Sequence, residues 1–369
     1  MVVLVNTSDV LDGICLNHSF VENKDLKGQF KKSFKKDDIL YSEIRPANKR
    51  YAYIDFDPLD YVASTKLMVI RSSKLVRPRY LYHYLKRQEM LDELQALAES
   101  RSGTFPQITF SELASFEISL PSLESQDRIV AAIDAFENKI ALNNRINHNL
   151  EEQAKALYKS WFVDFEPFKD GVFVDSELGP IPEGWHIGSI YDICDVYYGA
   201  PFNSTLFNSE KKGLPLIRIR DLAKQETGVY TEEIHPKGQR TNKGDVLVGM
   251  DGEFSLYIWG GVSSWINQRI SRFTPKRGIS HYLMTETLRP QLKAVESSEV
   301  ATTVIHIGKN DYDKFKSIIP TQSVLESFYQ LSEPLYCQYV ENLSSNKSLT
   351  ELRDALLPRL MSGRLQLDC

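Results

Sequence analysis

The stretch Ile140–Leu157, IALNNRINHNLEEQAKAL, returns 199 residues later as Tyr339–Leu356, YVENLSSNKSLTELRDAL. Asn143 falls on Asn342, Asn147 on Asn346, Leu150 on Leu349, Glu152 on Glu351, and Ala156-Leu157 on Ala355-Leu356. At the same displacement the whole of Ile108–Phe162 lands without a gap on Ile307–Met361, with Phe116 on Phe315 and Pro121 on Pro320. Each copy reads as a strand-like segment, a proline and a long helix. A duplicated unit implies an internal two-fold, which suits a target that itself has two halves.

The first helix is expected over Leu123–Phe162, with acid in its first turn and proline ahead of it. Its apolar seam is Ile129, Ile133, Phe136, Ile140, Asn143, Asn147, Leu150, Ala154, Leu157, Trp161. The 4-3 spacing persists for more than four heptads, the pattern of a coiled coil. About 40 residues at ~1.5 Å each make a rod of roughly 60 Å. The second seam runs Phe328, Ser332, Leu335, Tyr339, Asn342, Asn346, Leu349, Arg353, Leu356, Leu360, and is less apolar. An intramolecular antiparallel pairing would set Asn143 against Asn346 and Asn147 against Asn342. Buried polar pairs of this kind are best used to fix register. Pro334 should kink or restart the second helix.

The chain has 369 residues, enough for two domains plus connections, and its composition is that of an ordinary soluble globular protein. No run of ~18 apolar residues marks a membrane span, and the start lacks a signal-peptide pattern. The scattered cysteines (Cys15, Cys194, Cys337, Cys369) argue against a zinc site or a disulfide framework, and for a reducing cytosol. The net charge of −5 is unevenly spread. Residues 121–184 carry 6 Lys+Arg against 12 Asp+Glu, whereas residues 185–319 carry 17 against 15. The acid therefore sits on the first long helix and the linker, and the flanking segments are mildly basic. Phosphate binding needs only such a local positive surface.

Residues 1–120 and 185–319 also resemble each other loosely. Leu4–Val10 sits on Leu216–Leu222, and Asp38-Ile39-Leu40 on Asp245-Val246-Leu247. Short β-branched and aromatic runs (Ile217–Ile219, Val246–Val248, Ser255–Trp259) broken by Gly, Asn and Pro predict strand-rich cores, each with one helix, Arg79–Leu97 and Ile279–Leu292. The fold class is α+β: two strand-rich domains joined by a long antiparallel intramolecular coiled coil with pseudo-two-fold symmetry. Polar clusters interrupt the similarity. They are Arg45, Asn48, Lys49 and Arg50; Lys66; Arg101, Ser102 and Thr104; Arg218 and Arg220; Arg240 and Asn242; Asp251; Gln268 and Arg269; and Thr302, Thr303 and His306. Arg, Lys, Asn and Gln are the side chains that read guanine and adenine edges in the major groove. Each cluster taken singly also reads as a solvated loop. What favours base reading is that matching places in both copies carry such residues with different identities.

Chemistry-bearing motifs are missing: no Walker loop, no G-x-G-x-x-G after a strand, no H-E-x-x-H, no G-x-S-x-G. The seven histidines are isolated, and Asp164-Phe165-Glu166 has no acid/base partner in the sequence. No catalytic or metal-binding residue is assigned.

Three strings are specific. Lys159-Ser160-Trp161-Phe162-Val163-Asp164-Phe165-Glu166-Pro167-Phe168, Ser176-Glu177-Leu178-Gly179-Pro180-Ile181-Pro182-Glu183-Gly184-Trp185 and Leu352-Arg353-Asp354-Ala355-Leu356-Leu357-Pro358-Arg359-Leu360-Met361-Ser362-Gly363 resemble the specificity subunit of type I restriction–modification enzymes. The resemblance covers essentially the whole chain. It implies a first target-recognition domain over 1–121, a long helix over 122–165, a linker over 166–184, a second target-recognition domain over 185–319, a second long helix over 320–363 and a tail over 364–369. It further implies a split double-stranded DNA target, two modification subunits and two restriction subunits in a bacterial or archaeal cytoplasm, with no membrane. S-adenosylmethionine, ATP and Mg would belong to those partners, and none to this chain. The second domain carries a lead segment, Trp185–Gly213, before its match to Leu4. The family normally opens the first domain in the same way, so the first domain is expected to lack its N-terminal part. Two functions stay open: a DNA-reading subunit, or an assembly hub with impaired or no DNA reading.

Overall fold

The computed structural model describes residues 1–22, 28–101, 104–298 and 305–365. The chain divides into two units, Met1–Asn138 with Glu351–Cys369, and Lys139–Thr350.

The first unit opens with β1 (Val2–Val5), β2 (Val10–Leu11), β3 (Ile14–Cys15), β4 (Phe20–Val21) and β5 (Phe30–Lys32). β6 (Ile39–Ser42), β7 (Tyr51–Tyr53), β8 (Tyr61–Ser64) and β9 (Leu67–Ile70) follow. They form a four-stranded sheet in the order β4-β1-β8-β5 and a three-stranded sheet in the order β7-β6-β9. β6 is buried at every position. Its alternate side chains enter different cores, Ile39 and Tyr41 one and Leu40 the other, as the pleat requires. Then come α1 (Pro78–Leu85), α2 (Gln88–Arg101), α3 (Phe110–Ala114) and α4 (Leu123–Phe162). α3 starts at a capping box, in which Thr109 and Glu112 each accept from the other's backbone N–H.

The second unit contains β10 (Phe173–Val174), β11 (Ile181–Pro182), β12 (His186–Ser189), α5 (Ile190–Ile193) and β13 (Cys194–Tyr198). It continues with β14 (Phe207–Asn208), β15 (Leu214–Ile217), α6 (Ile219–Leu222), β16 (Tyr230–Thr231), β17 (Arg240–Thr241) and β18 (Val246–Gly249). β19 (Leu256–Ile258), β20 (Ser264–Ile266), β21 (Ile270–Pro275), α7 (His281–Ser298), α8 (Lys309–Tyr312), β22 (Lys316–Ile319) and α9 (Gln322–Met361) follow among the described residues. The main sheets are ordered β13-β21-β18-β19 and β14-β16-β15-β20-β17. The match of Leu4 to Leu216 is structural. β1 runs parallel to β8 through Leu4↔Val62 and Val5↔Ala63, and β15 runs parallel to β20 through Leu216↔Trp265 and Ile217↔Ile266. Both strands end in the same turn, with Asp9 accepting from Asn6 N–H and Asp221 from Arg218 N–H.

α4 keeps the bounds expected of it, and α9 is equally long at 40 residues. In the first unit Ile129 and Ile133 of α4 pack with Leu357, Leu360 and Met361 of α9. In the second unit Phe162 stacks edge-on against Phe328 at 4.8 Å. Early residues of one helix thus meet late residues of the other, so within each unit the two run antiparallel.

Several expectations need correction. α9 does not restart at Pro334. Ser332 is wholly buried beside it, its hydroxyl donating to Phe328 O at 2.7 Å and lying 2.8 Å from Ser280 Oγ, from which it can accept, and neighbouring Tyr336 is 2% exposed. That packing outweighs the one hydrogen bond a proline removes. The buried stripe of α9 also drifts from Leu335 and Tyr339 to Tyr336 and Val340, because α9 faces the strand core of its unit as well as α4. The single helix expected over Arg79–Leu97 is two, broken at Lys86-Arg87, where Arg87 lies over the Tyr84 ring and donates to Tyr84 O. α7 runs past Leu292 to Ser298. The run Ile217–Ile219 is strand only to Ile217, since the capped turn begins at Arg218. The strand expected ahead of each proline forms in the second copy as β22 but not in the first.

An ion network ties α1 to the long helices within the first unit. Asp134 accepts from Arg79 at 3.1 Å and faces His83 Nε2 at 2.8 Å, while Glu137 meets Lys86, and Arg353 at 3.8 Å. Burial pushes the His83 pKa below its ordinary value of about 6.5. Burial would raise Asp134, but the His83 hydrogen bond and Arg79 hold it below the usual carboxylate range. A depressed histidine means that the unfolded chain takes up a proton, as pH falls through about 6.5, that the folded chain resists. The stability gained by keeping His83 neutral is therefore complete above that pH and drains away below it. We expect the urea midpoint of the chain to fall between pH 8 and pH 5.5, and His83→Gln to flatten that slope. Equal slopes for the two proteins would contradict this.

Candidate nucleic-acid interface

One backbone arrangement occurs in both units. In the first, Arg45 N–H donates to Pro106 O (3.1 Å) and Ile108 N–H to Glu43 O (2.8 Å), bridging Ile44 to Gln107. In the second, Gly252 N–H donates to Ile305 O (3.1 Å) and Ile307 N–H to Met250 O (3.0 Å), bridging Asp251 to His306. The bridge clips the segment after β6 or β18 to the segment that leads towards the long helix. Beside it stands the turn that enters β9 or β21, carrying Lys66 or Arg269.

The scaffold is shared and the side chains differ. In the first unit Lys66 Nζ donates to Gln107 Oε1 at 3.0 Å and to Glu43 at 3.4 Å. Arg45 reaches the Thr104 carbonyl at 3.4 Å, so Arg45, Thr104 and Lys66 gather on one clip. Asn48 and Lys49 are exposed on the adjoining 3-10 turn Pro46–Asn48. In the second unit Asp251 accepts from His306 Nδ1 at 2.7 Å, and the Arg269 guanidinium lies 3.5 Å from the same carboxylate. Arg269 Nη1 is 3.2 Å from His306 Nδ1. Since Nδ1 already donates to Asp251, that contact is proximity, and Nε2 is the ring nitrogen left for a further hydrogen bond. Exposed Gln268 adjoins Arg269. Cation, amide and imidazole are groups that address base edges and phosphates.

Backbone conformation marks the same place. Arg45 has φ +44° and Lys49 φ +53°, a left-handed region that costs a side chain-bearing residue about 1 kcal/mol. At the position of Arg45 the second unit has Gly252, φ +79°, which adopts it freely. The first unit tolerates the strain and keeps an exposed guanidinium there.

Other basic candidates are engaged within the fold. Arg50 donates to Ser8 O and Val10 O, Arg101 pairs with Glu112 at 3.0 Å, and Arg218 pairs with Asp221 at 2.9 Å. Arg240 lies over the Trp265 ring at 4.6 Å. Arg220 and Asn242 are exposed away from the clip segments in sequence. Ser102, Thr302 and Thr303 lie outside the described residues. Glu43 and Gln107 were not singled out in the sequence. The signal for Gln107 was the displacement of 199, which carries it onto His306 one residue before the gapless repeat begins.

The asparagines meet inside the second unit. Asn143 Nδ2 donates to Asn346 Oδ1 and Asn342 Nδ2 to Asn147 Oδ1, both at 2.8 Å. Asn147 also donates to Tyr339 O, and Asn346 to Asn144 Oδ1. Asn143 is 1% exposed. Among the described residues, His83, Asp134 and Glu137 lie close enough to share an ion. Arg79, Lys86 and Arg353 already surround their carboxylates, a charge balance that repels a metal. Asp164 pairs with Lys159, and Glu166 accepts from Ser160, so both act in ending α4. Among the described residues no helix is long and apolar enough to cross a membrane.

The family model of the type I restriction modification DNA specificity domain matches residues 8–152 and 182–324. The HindI specificity subunit of Haemophilus influenzae is 31% identical over 99% of this chain and 94% of its own length. The MjaIX specificity subunit of Methanocaldococcus jannaschii is also 31% identical, over 84% of this chain and 76% of its own. A crystal structure of a type I restriction–modification S subunit from M. genitalium superposes with a TM-score of 0.57 over 100% of this chain and 89% of that one, at 15% identity, a likeness of fold. Each of the two family matches contains one clip, and the first also takes in most of α4, so sequence and fold agree: the chain belongs to the type I restriction–modification DNA specificity subunits.

Proposed function

We propose that this chain reads a bipartite, asymmetric DNA target, one half-site per unit, and docks the modification and restriction subunits that act there. The observation that carries the reading is the recurrence of one backbone clip with different side chains: Lys66, Gln107 and Arg45 in one unit, Arg269, His306 and Asp251 in the other. Shared scaffold with divergent side chains is what two unrelated half-sites demand. The candidate contacts comprise exposed Asn48, Lys49, Arg220, Asn242, Gln268 and Thr104 as well. Arg50, Arg101, Arg218 and Arg240 act by holding the loops.

The two long helices form an antiparallel coiled coil about a pseudo-two-fold axis, with Asn143, Asn147, Asn342 and Asn346 setting its register. The rod spaces the half-sites, so spacer length follows helix length. The pseudo-two-fold lets two identical modification subunits dock equivalently on one asymmetric chain. S-adenosylmethionine, ATP and Mg act on those partners, with the target adenine flipped into the modification subunit. This chain supplies recognition and no bond-making residue.

The test uses the assembled modification complex and DNA carrying both half-sites. Arg269→Ala and His306→Ala should each lower affinity about tenfold to a hundredfold, at ~1–3 kcal/mol per base contact, and relax one half-site only. Lys66→Ala and Gln107→Ala should relax the other. Affinity unchanged in all four would leave the assembly-hub role standing. Arg45→Gly should leave thermal stability unchanged or raised, by relief of about 1 kcal/mol, while weakening DNA binding. Weakened folding with normal binding would contradict that assignment. Removing one matched heptad from each long helix shortens the rod by ~10 Å and should shorten the preferred spacer by about three base pairs. An unchanged spacer would refute the measuring role.

A further inference from the structure

In the first unit the turn that carries Lys66 is held by another lysine. Lys32 Nζ donates to Thr65 O and to Leu67 O, both at 2.8 Å, and these are the carbonyls on either side of Lys66. Thr65 N–H donates in turn to Gln29 O at 2.7 Å. Gln107 stands on the main-chain bridge to Ile44, between buried Pro106 and Ile108. Lys66 and Gln107 thus project from backbone that is fixed on both sides, the condition for a pre-organised contact.

The hydrogen-bonding groups that this leaves are of one kind. An ammonium only donates, so its partner on Gln107 must be the amide oxygen, and the 3.0 Å contact of Lys66 Nζ with Oε1 fixes which way the amide points. The Nε2 amino group is what remains, with no partner among the described residues. Lys66 directs a second proton to Glu43 Oε2 at 3.4 Å and keeps a third. Glu43 is the other acceptor here. Lys66 at 3.4 Å and Lys32 at 4.0 Å set two ammonium groups against its one carboxylate. Arg45 adds an exposed guanidinium on the same clip. Every group left to meet a ligand is a donor. The second unit differs, because the Asp251 carboxylate beside Arg269 and His306 makes its clip a mixture of acceptors and donors.

A glutamine in the major groove ordinarily reads adenine, accepting from N6 through Oε1 and donating to N7 through Nε2. Here adenine would bring its amino group alongside the Lys66 ammonium, donor against donor. Guanine presents two acceptors, N7 and O6, on the same edge, and thymine only O4. We propose that Lys66 and Gln107 together read one guanine of the first unit's half-site, an assignment that rests on the DNA-reading role set out above. Lys66 occupies the one acceptor of Gln107 and so turns an adenine-reading side chain into half of a donor-only pair. Phosphate oxygens are acceptors too, and a phosphate contact differs from a base contact in being blind to sequence.

The test uses the full chain assembled with its modification subunits and a pool of duplexes randomised over both half-sites, with methylated adenines read by sequencing. Wild type should require guanine at one position of one half-site. Lys66→Ala frees Gln107 Oε1, so that position should then admit adenine as well as guanine. Gln107→Ala should relax it with no gain for adenine. The other half-site should stay as it was in both variants, which reports that they fold. A further arm needs no variant: 7-deazaguanine at that position, with C–H in place of N7, should lower wild-type affinity about tenfold. Four outcomes would each overturn the proposal: guanine still strictly required in Lys66→Ala, a relaxed position that is not guanine, full affinity for the 7-deazaguanine duplex, or a loss equal over all sequences with the salt slope reduced by about one, as a phosphate contact gives. Each of them leaves a motif standing. A wild-type pool without any motif would remove the DNA-reading role as well.

Discussion

A buried side-chain amide that has left water must find hydrogen-bond partners inside the fold. Asn143 Nδ2 donates to Asn346 Oδ1 and Asn342 Nδ2 to Asn147 Oδ1, both at 2.8 Å, while Asn143 Oδ1 stays buried without a partner, in a seam that is largely aliphatic and aromatic. An unpartnered buried amide costs on the order of 1–3 kcal/mol. Sliding one helix past the other by a turn would strand all four at once and also displace Ile133 from Leu357 and Phe162 from Phe328. Apolar side chains alone would tolerate such a slip far better. A polar centre of this kind gives up some stability relative to an apolar one.

A related division of labour holds at the candidate interface. The clip that joins Ile44 to Gln107 and Asp251 to His306 is made by main-chain groups, so it survives any change of side chain. What stands on it is free to diverge. A lysine with a glutamine in one unit becomes an arginine with a histidine and an aspartate in the other. Arg45 shows how far this goes, since an arginine keeps a backbone conformation that glycine supplies at no cost in the second unit. Strain at an exposed cation is intelligible when the cation is wanted for a partner.

Much of this was legible in the sequence, and for a physical reason. The 199-residue displacement records a helix pair whose seam, asparagines and capping prolines all obey geometry, and α4 begins and ends where its pattern does. The weaker match of Leu4 to Leu216 held because both strands occupy one buried, parallel position with the same capped turn behind it. What was not legible depends on neighbours distant in sequence. Pro334 passes through α9 because Ser332 and Tyr336 are locked in a core, and the stripe shifts by one residue for the same reason. The helix break at Lys86-Arg87 rests on contacts to Tyr84 that carry no local signature. Glu117–Leu120 reads as a strand as well as Lys316–Ile319 does, yet only the latter has β12 to pair with. Candidate side chains were the least legible, since Arg50 and Arg218 look as free in sequence as Arg269, and only the fold turns them inward.

The central claim is that two divergent reading units share one measuring rod. Genome-wide mapping of modified adenines in cells that express this chain with its modification subunits tests it most directly. The account predicts a single split motif, with two unrelated half-sites separated by a non-specific spacer of one fixed length. A contiguous motif, a palindrome or a spacer of variable length would contradict it.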